Sequence, residues 1–196
     1  MTERDRLLQL LIERSFRLGD FVLASGARSR YYIDGRTTTT HAEGQFLIGR
    51  LGLALLRGAG LRPEVIGGLT MGADPVSYAI AHASWLAGEP IHAFTVRKEP
   101  KAHGTGRRIE GCFAPGDRVV VVEDVITSGG SVRRACEAVR AEEGEVLAVL
   151  ALVDREAGGR EAIEAAGYPV LSLYGLSELL AAAEEGGAGA AAPETG

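Results

Sequence analysis

Cysteine is scarce in this chain: Cys112 and Cys136 stand far apart, with no C-x-x-C pair and no histidine-rich company. That excludes a disulfide framework and a structural zinc site, and leaves two free thiols of the kind a reducing cytoplasm maintains. Long apolar runs are missing too, since none approaches the roughly 18 residues needed to span a bilayer. The segment from Met1 to Asp5 is polar and charged rather than leader-like, so the expectation is a cytoplasmic chain that is neither exported nor membrane-bound. Positive charge is in deficit: 21 basic against 26 acidic residues give a formal net charge of −5. No field for nucleic acid is expected from such a chain, and any anion site must be local. Neither G-x-G-x-x-G nor G-x-x-x-x-G-K-[ST] occurs, so nicotinamide and nucleoside-triphosphate readings lack support, and no internal repeat is present.

What is present is enough apolar material for one core. With 196 residues, 46% of them hydrophobic, the chain suits one compact domain with an appendage. Leu7, Leu8, Leu11 and Ile12 fall on one stripe and predict a helix over Thr2 to Arg17, stopped by Gly19. Asp20 to Ile33 reads as a hairpin, with Phe21-Val22-Leu23 and Tyr31-Tyr32-Ile33 flanking Ser25-Gly26. Thr40 and Glu43 suggest a capping box opening a helix that carries Leu47, Leu51, Ala54 and Leu55 to about Arg57.

Short apolar runs and helical segments then alternate: Val65-Ile66, Asp74 to Leu86, Ile91 to Val96, a long loop, Arg118 to Val122, Gly130 to Ala141, Val146 to Val153, Gly159 to Ala166. This order predicts an α/β fold, a mostly parallel sheet flanked by helices and joined by right-handed crossovers. A last helix is expected near Ser177 to Ala183, and the Ala-, Gly- and Glu-rich tail has almost nothing to bury. The expected division is an N-terminal helix and hairpin subdomain over 1–40, an α/β core over 41–180 and a disordered tail over 181–196.

Residues Arg118 to Ser131 carry the chemistry. Four valines read as a buried parallel strand ending at two adjacent acids, Glu123 and Asp124. In an open α/β sheet that end faces the ligand crevice. Val125 and Ile126 lead on to Thr127, Ser128, Gly129, Gly130 and Ser131, which offer backbone N–H groups and hydroxyls at a helix start, a cradle for phosphate. The acids suit ribose hydroxyls and a Mg²⁺-bound ligand, so one ribose phosphate would satisfy both halves. The plain alternative is a turn whose Ser and Gly residues only cap the helix.

V-V-V-V-E-D-V-I-T-S-G-G-S resembles the phosphoribosyl pyrophosphate (PRPP) motif of the type I phosphoribosyltransferases. Arg97-Lys98-Glu99-Pro100-Lys101-Ala102-His103-Gly104-Thr105-Gly106 is similar to the R-K-x-x-K-x-H-G-x-G loop of their orotate-specific members. The resemblance implies the type I phosphoribosyltransferase fold with an N-terminal hood over the base, Mg²⁺ held mainly through PRPP rather than by a protein metal site, and orotate as acceptor. It implies PRPP contacts from Arg97, Lys98, Lys101, His103 and the segment Glu123 to Ser131, with Lys101 and Asp124 catalytic. Orotate contacts would come from Thr127, Arg155, Tyr32 and Ile33, and the partner would be a second copy of the chain in a homodimer with shared sites. A surface ion pair near Asp154 is the plain alternative for Arg155, and a core role that for Tyr32 and Ile33.

Two positions depart from the family pattern. Many members have lysine where Ala24 stands, and a Tyr-Lys pair where this chain has Thr70-Met71, within G-G-L-T-M-G-A-D-P. Arg28 or Arg36 is the expected substitute for the missing charge, while Gly72 to Pro75 keep a tight turn suited to pyrophosphate. Two rivals stand beside the orotate reading: transfer to another base, and a non-catalytic PRPP-sensing regulator.

Overall fold

The valines at 119–122 are at most 1% exposed, because the strand they form lies between two others and has helices on both faces. The computed structural model describes residues 1–22, 28–99 and 108–185. In chain order the elements are α1 (Glu3–Arg14), β1 (Phe16–Val22), β2 (Arg28–Ile33), α2 (Arg36–Thr39), α3 (Ala42–Gly58), β3 (Val65–Leu69), α4 (Ala73–Leu86), β4 (His92–Val96) and β5 (Ile109–Gly111). They continue with β6 (Arg118–Ile126), α5 (Gly130–Ala141), β7 (Glu145–Asp154), α6 (Gly159–Ala165), β8 (Val170–Gly175) and α7 (Leu176–Glu185). Six strands form one sheet in the order β5-β4-β3-β6-β7-β8, parallel throughout except for β5, which runs antiparallel on β4.

Side chains alternate across a strand, and the valines divide accordingly between two cores. Val120 and Val122 join Leu150 and Leu152 beneath α1, α3, α4 and α7. Val119 and Val121 join Val149 and Ala151 beneath α5 and α6. Each fully buried valine contributes about 1.5 kcal/mol or more, which favours this run in the middle of the sheet. The helix α1 brings Leu7, Leu10 and Leu11 into the first of these cores, so residues 3–14 pack with the α/β body. Cys112 and Cys136 are free thiols, and burial pushes the Cys136 thiol up to about 12.

Several sequence expectations change. Ser15, not Gly19, closes α1, and Gly19 lies inside β1. The hairpin therefore begins earlier, with Phe16 opposite Ile33 and Leu18 opposite Tyr31. A capping box does form at Thr2 and Asp5, but the one expected at Thr40 and Glu43 does not. Thr40 Oγ1 donates to Arg36 O at 2.7 Å, and Glu43 accepts from Arg6 Nε at 2.7 Å and Nη2 at 2.8 Å. A guanidinium from another helix outcompetes a local cap here. The two acids lie inside β6 rather than past its end, since pairing with β7 continues as far as Ile126 opposite Asp154. The helix α2 and the strands β5 and β8 were not anticipated from the sequence. Residues 181–185 extend α7, with Ala183 buried, instead of starting the tail; residues 186–196 lie outside the described residues.

Candidate active site

The strands β3, β6 and β7 are parallel neighbours, so their carboxyl ends lie on one side of the sheet, the usual ligand position in an α/β fold. Between β6 and α5 the chain turns through Gly129, whose φ of 74° is left-handed. A Cβ there would also meet Gly159 O and Ile163 Cγ1, each at 2.9 Å, so conformation and packing on α6 both require glycine. Among the described residues no side chain caps α5. Its first N–H groups face a cavity of about 80 Å³ lined by Glu123 and residues 125–132. A helix N-terminus of this form binds phosphate. The structure thus gathers Glu123, Val125, Ile126, Thr127, Ser128, Gly129, Gly130 and Ser131 around one cavity.

Glu123 is only 8% exposed. Burial first, and the charge of Asp124 second, hold its carboxyl well above the ordinary range. Asp124 is half-buried, and its Oδ1 accepts the Val125 N–H at 2.9 Å. Two glycines enclose it. A Cβ at Gly72 would stand 2.6 Å from Asp124 Oδ1 and 3.0 Å from Glu123 Oε1, and one at Gly35 would stand 3.0 Å from Asp124 Oδ2. The Gly72 turn is itself fixed, because Asp74 accepts Thr70 Oγ1 at 2.7 Å and Thr95 Oγ1 at 2.8 Å. The sequence showed the turn but not what it faces.

Arg155 follows β7 directly, and its N–H donates to Ile126 O at 3.0 Å, beside Thr127. Its guanidinium carbon stands 5.0 Å from the centroid of the Tyr31 ring, and its buried Nε has no hydrogen-bond partner among the described residues. Asp154 belongs to another cation: Arg160 Nε lies 2.7 Å from Asp154 Oδ2. The pleat of β2 separates the two hairpin residues expected at the base. Ile33 and Tyr31 pack against the main core, whereas Tyr32 is exposed and meets Phe21 at 5.6 Å between ring centroids. Tyr31, which sequence reasoning passed over, is the hairpin residue that meets Arg155.

Of the basic segment, Arg97 and Lys98 are described, exposed just past β4; Lys101 and His103 lie outside the described residues, as does Ala24. Arg97 N donates to Arg108 O at 2.8 Å, and Arg97 Nη1 lies 3.7 Å from Glu110 Oε1. Glu142 Oε1 accepts the N–H groups of Arg108 and Ile109, both at 3.3 Å, which ties this edge to the end of α5. As the substitute cation, Arg36 is largely committed: its Nε and Nη2 reach Asp34 at 2.8 and 2.9 Å, with Asp124 a weaker neighbour. Arg28 is exposed at the start of β2.

Comparison with known proteins agrees with this geometry. A family model described as a phosphoribosyl transferase domain matches residues 114–167, the stretch running from β6 into α6 and beyond. The chain is 49% identical over 183 residues to the orotate phosphoribosyltransferase of Aquifex aeolicus (strain VF5), covering 92% of this chain and 99% of that protein. The orotate phosphoribosyltransferase of Mycobacterium tuberculosis H37Rv, solved in complex with PRPP, superposes with a TM-score of 0.78 at 42% identity, covering 91% of this chain and 99% of that one. The same enzyme with Fe(III) dicitrate gives 0.81 at 46% identity, over 91% and 99%. Adenine phosphoribosyltransferase from Saccharomyces cerevisiae, at 20% identity and a TM-score of 0.65, shares the fold over 86% of this chain and 99% of its own. Motif, sheet order and relatives of matching length converge: the chain belongs to the orotate phosphoribosyltransferases, enzymes of the phosphoribosyltransferase family.

Proposed function

We propose that this chain transfers ribose 5-phosphate from PRPP to orotate, a step of pyrimidine (UMP) biosynthesis, with the roles of its residues set by the crevice above β3, β6 and β7. The single observation that carries this reading is the cavity that Glu123 shares with the α5 N-terminus, with Asp124 beside Glu123 at the Gly72 turn. The 5-phosphate binds the Thr127 to Ser131 amides and hydroxyls, and Val125 and Ile126 wall the cradle. Glu123 and Asp124 take the ribose hydroxyls. Arg97, Lys98, Lys101 and His103 receive the pyrophosphate. Arg155 and Thr127 hold orotate, with Ile33 on the hairpin face nearest them and Tyr32 at its outer edge.

In the reaction the bond from the anomeric carbon to the pyrophosphate oxygen breaks, a bond to a ring nitrogen of orotate forms on the opposite face, and the proton of that nitrogen is released to the pyrophosphate or to solvent. Positive charge builds on the sugar meanwhile, and the carboxylate of Asp124 favours it. Lys101 stabilises the departing pyrophosphate, so electrostatics and positioning supply most of the acceleration.

Mg²⁺ fits as a cation that arrives with PRPP. Glu123 and Asp124, which meet at the Gly72 turn, would complement oxygens that the substrate supplies. Bound there, the cation would supply neutralisation of charge on the pyrophosphate. The working unit is a homodimer, a reading supported by exposed Phe46, Tyr78, Trp85 and Leu86 on α3 and α4, beside a groove of about 530 Å³. No helix among the described residues is long and apolar enough to cross a membrane.

The test supplies PRPP and Mg²⁺ with orotate, uracil, hypoxanthine or adenine singly, and follows base consumption and pyrophosphate release. Orotate alone should be consumed. Turnover of another base instead would reassign the acceptor, and silence with all four would favour a PRPP-sensing regulator.

A further inference from the structure

Arg155 is a long side chain whose buried Nε has no hydrogen-bond partner among the described residues. The acids beside it in sequence are engaged elsewhere: Asp154 with Arg160, and Glu156 with the N–H and hydroxyl of Ser177 at 3.0 and 2.9 Å. What the guanidinium does have is the face of Tyr31, 5.0 Å from its carbon to the ring centroid. A planar guanidinium over an aromatic face is attracted by the ring's negative quadrupole.

Tyr31 is itself held. Its ring stacks on Phe16 at 6.2 Å and 22°, and Phe16 is a core residue. Its backbone is pinned by Ser29 Oγ, which donates to Tyr31 O at 2.8 Å and accepts the Tyr31 N–H at 3.4 Å. A line of contacts therefore runs from the core through Phe16 and Tyr31 to the cation at the mouth of β7. Ordering an arginine costs rotamer freedom, and this stack bears that cost before any ligand arrives.

We propose that Tyr31 is a positioning residue for Arg155: its ring is the shelf on which the guanidinium is presented to the carboxylate of the base, so the hairpin governs how tightly that carboxylate is read. The proposal rests on the assignment of Arg155 to orotate made above.

Phenylalanine and its mono-, di- and trifluoro derivatives at position 31 keep the ring's shape while draining its quadrupole, and so test the stack without emptying the site. Along this series KM for orotate should climb at least threefold, with kcat and KM for PRPP held within twofold. Tyr31→Leu should match the fully fluorinated ring, and Tyr31→Phe should match the native enzyme. In an Arg155→Ala background, fluorination should change nothing further. A flat orotate KM across the series, with Arg155→Ala still raising it, would make Tyr31 a packing residue only and overturn the proposal. If Arg155→Ala itself left orotate KM unchanged, the fault would lie in the assignment of Arg155, and the shelf would fall with it.

Discussion

A methyl group placed on Gly72 would stand 2.6 Å from Asp124 Oδ1, so the turn after β3 and the acid on β6 are fitted to each other at van der Waals limits. Gly72 itself has an ordinary φ of −63°; the constraint is room, not conformation. Gly72→Ala should therefore fold normally while pushing Asp124 aside. The expected outcome is a loss in kcat/KM for PRPP of about tenfold or more, with a melting temperature close to the native one, read by steady-state kinetics alongside thermal unfolding.

Asp124→Asn keeps the shape and removes the charge. If the carboxylate favours the developing positive centre, turnover falls at least about tenfold. Unchanged turnover would assign Asp124 to hydrogen bonding of the ribose alone.

Lys101 offers a contrast. Its contact should strengthen as pyrophosphate leaves, so Lys101→Ala should cut kcat far more than PRPP affinity. Equal losses in kcat and in PRPP binding measured by titration calorimetry would identify a ground-state contact instead.

Glu123 links the site to stability. Its carboxyl is held well above 4.5, chiefly by burial. Below that pH the folded and unfolded chains both carry the proton, and the group is neutral to stability. As pH rises past it the unfolded chain ionises while the folded one resists, so stability drains away until the folded value is reached. Glu123→Gln never ionises. Without ligand its melting temperature should gain on that of the native chain between pH 4 and pH 7; a constant difference across that span would refute the linkage.

Arg160 serves a buried partner. Its Nε lies 2.7 Å from Asp154 Oδ2, with side-chain exposures of 31% and 5%, and its other nitrogens donate to Val170 O and Ser172 Oγ, both at 2.8 Å. Arg160→Ala strands the carboxylate inside the protein. Breaking a fully buried pair costs about 3–5 kcal/mol, and the partial exposure of Arg160 reduces this to roughly 2. Urea titrations should show that loss at an unchanged m-value.

Much of this architecture was legible because its signals are local. A central parallel strand must be apolar on both faces, and Val119 to Val122 say so outright; Gly130 to Ala141 was bounded correctly because glycine precedes it and one stripe repeats. Edge elements gave no such signal. The strand β5, only Ile109 to Gly111 with a single neighbour, has no room to display a period. In the site, Thr127 to Ser131 are contiguous in sequence, so their place at the start of α5 was readable directly. What escaped notice depends on tertiary approach: Gly72 and Gly35 against Asp124, or Tyr31 rather than Tyr32 beneath Arg155. Adjacent tyrosines are distinguished only by the pleat, and the hairpin began earlier than its aromatic pattern implied.

The placement of β6 between β3 and β7 has a consequence for solvent exchange. Amide protons in a strand flanked on both sides and sealed above and below are released only when the whole molecule unfolds. Those of Val119 to Val122 should accordingly be among the last traded for deuterium. Immediately downstream of them stand the two acids, whose aim inherits the resistance of the entire sheet.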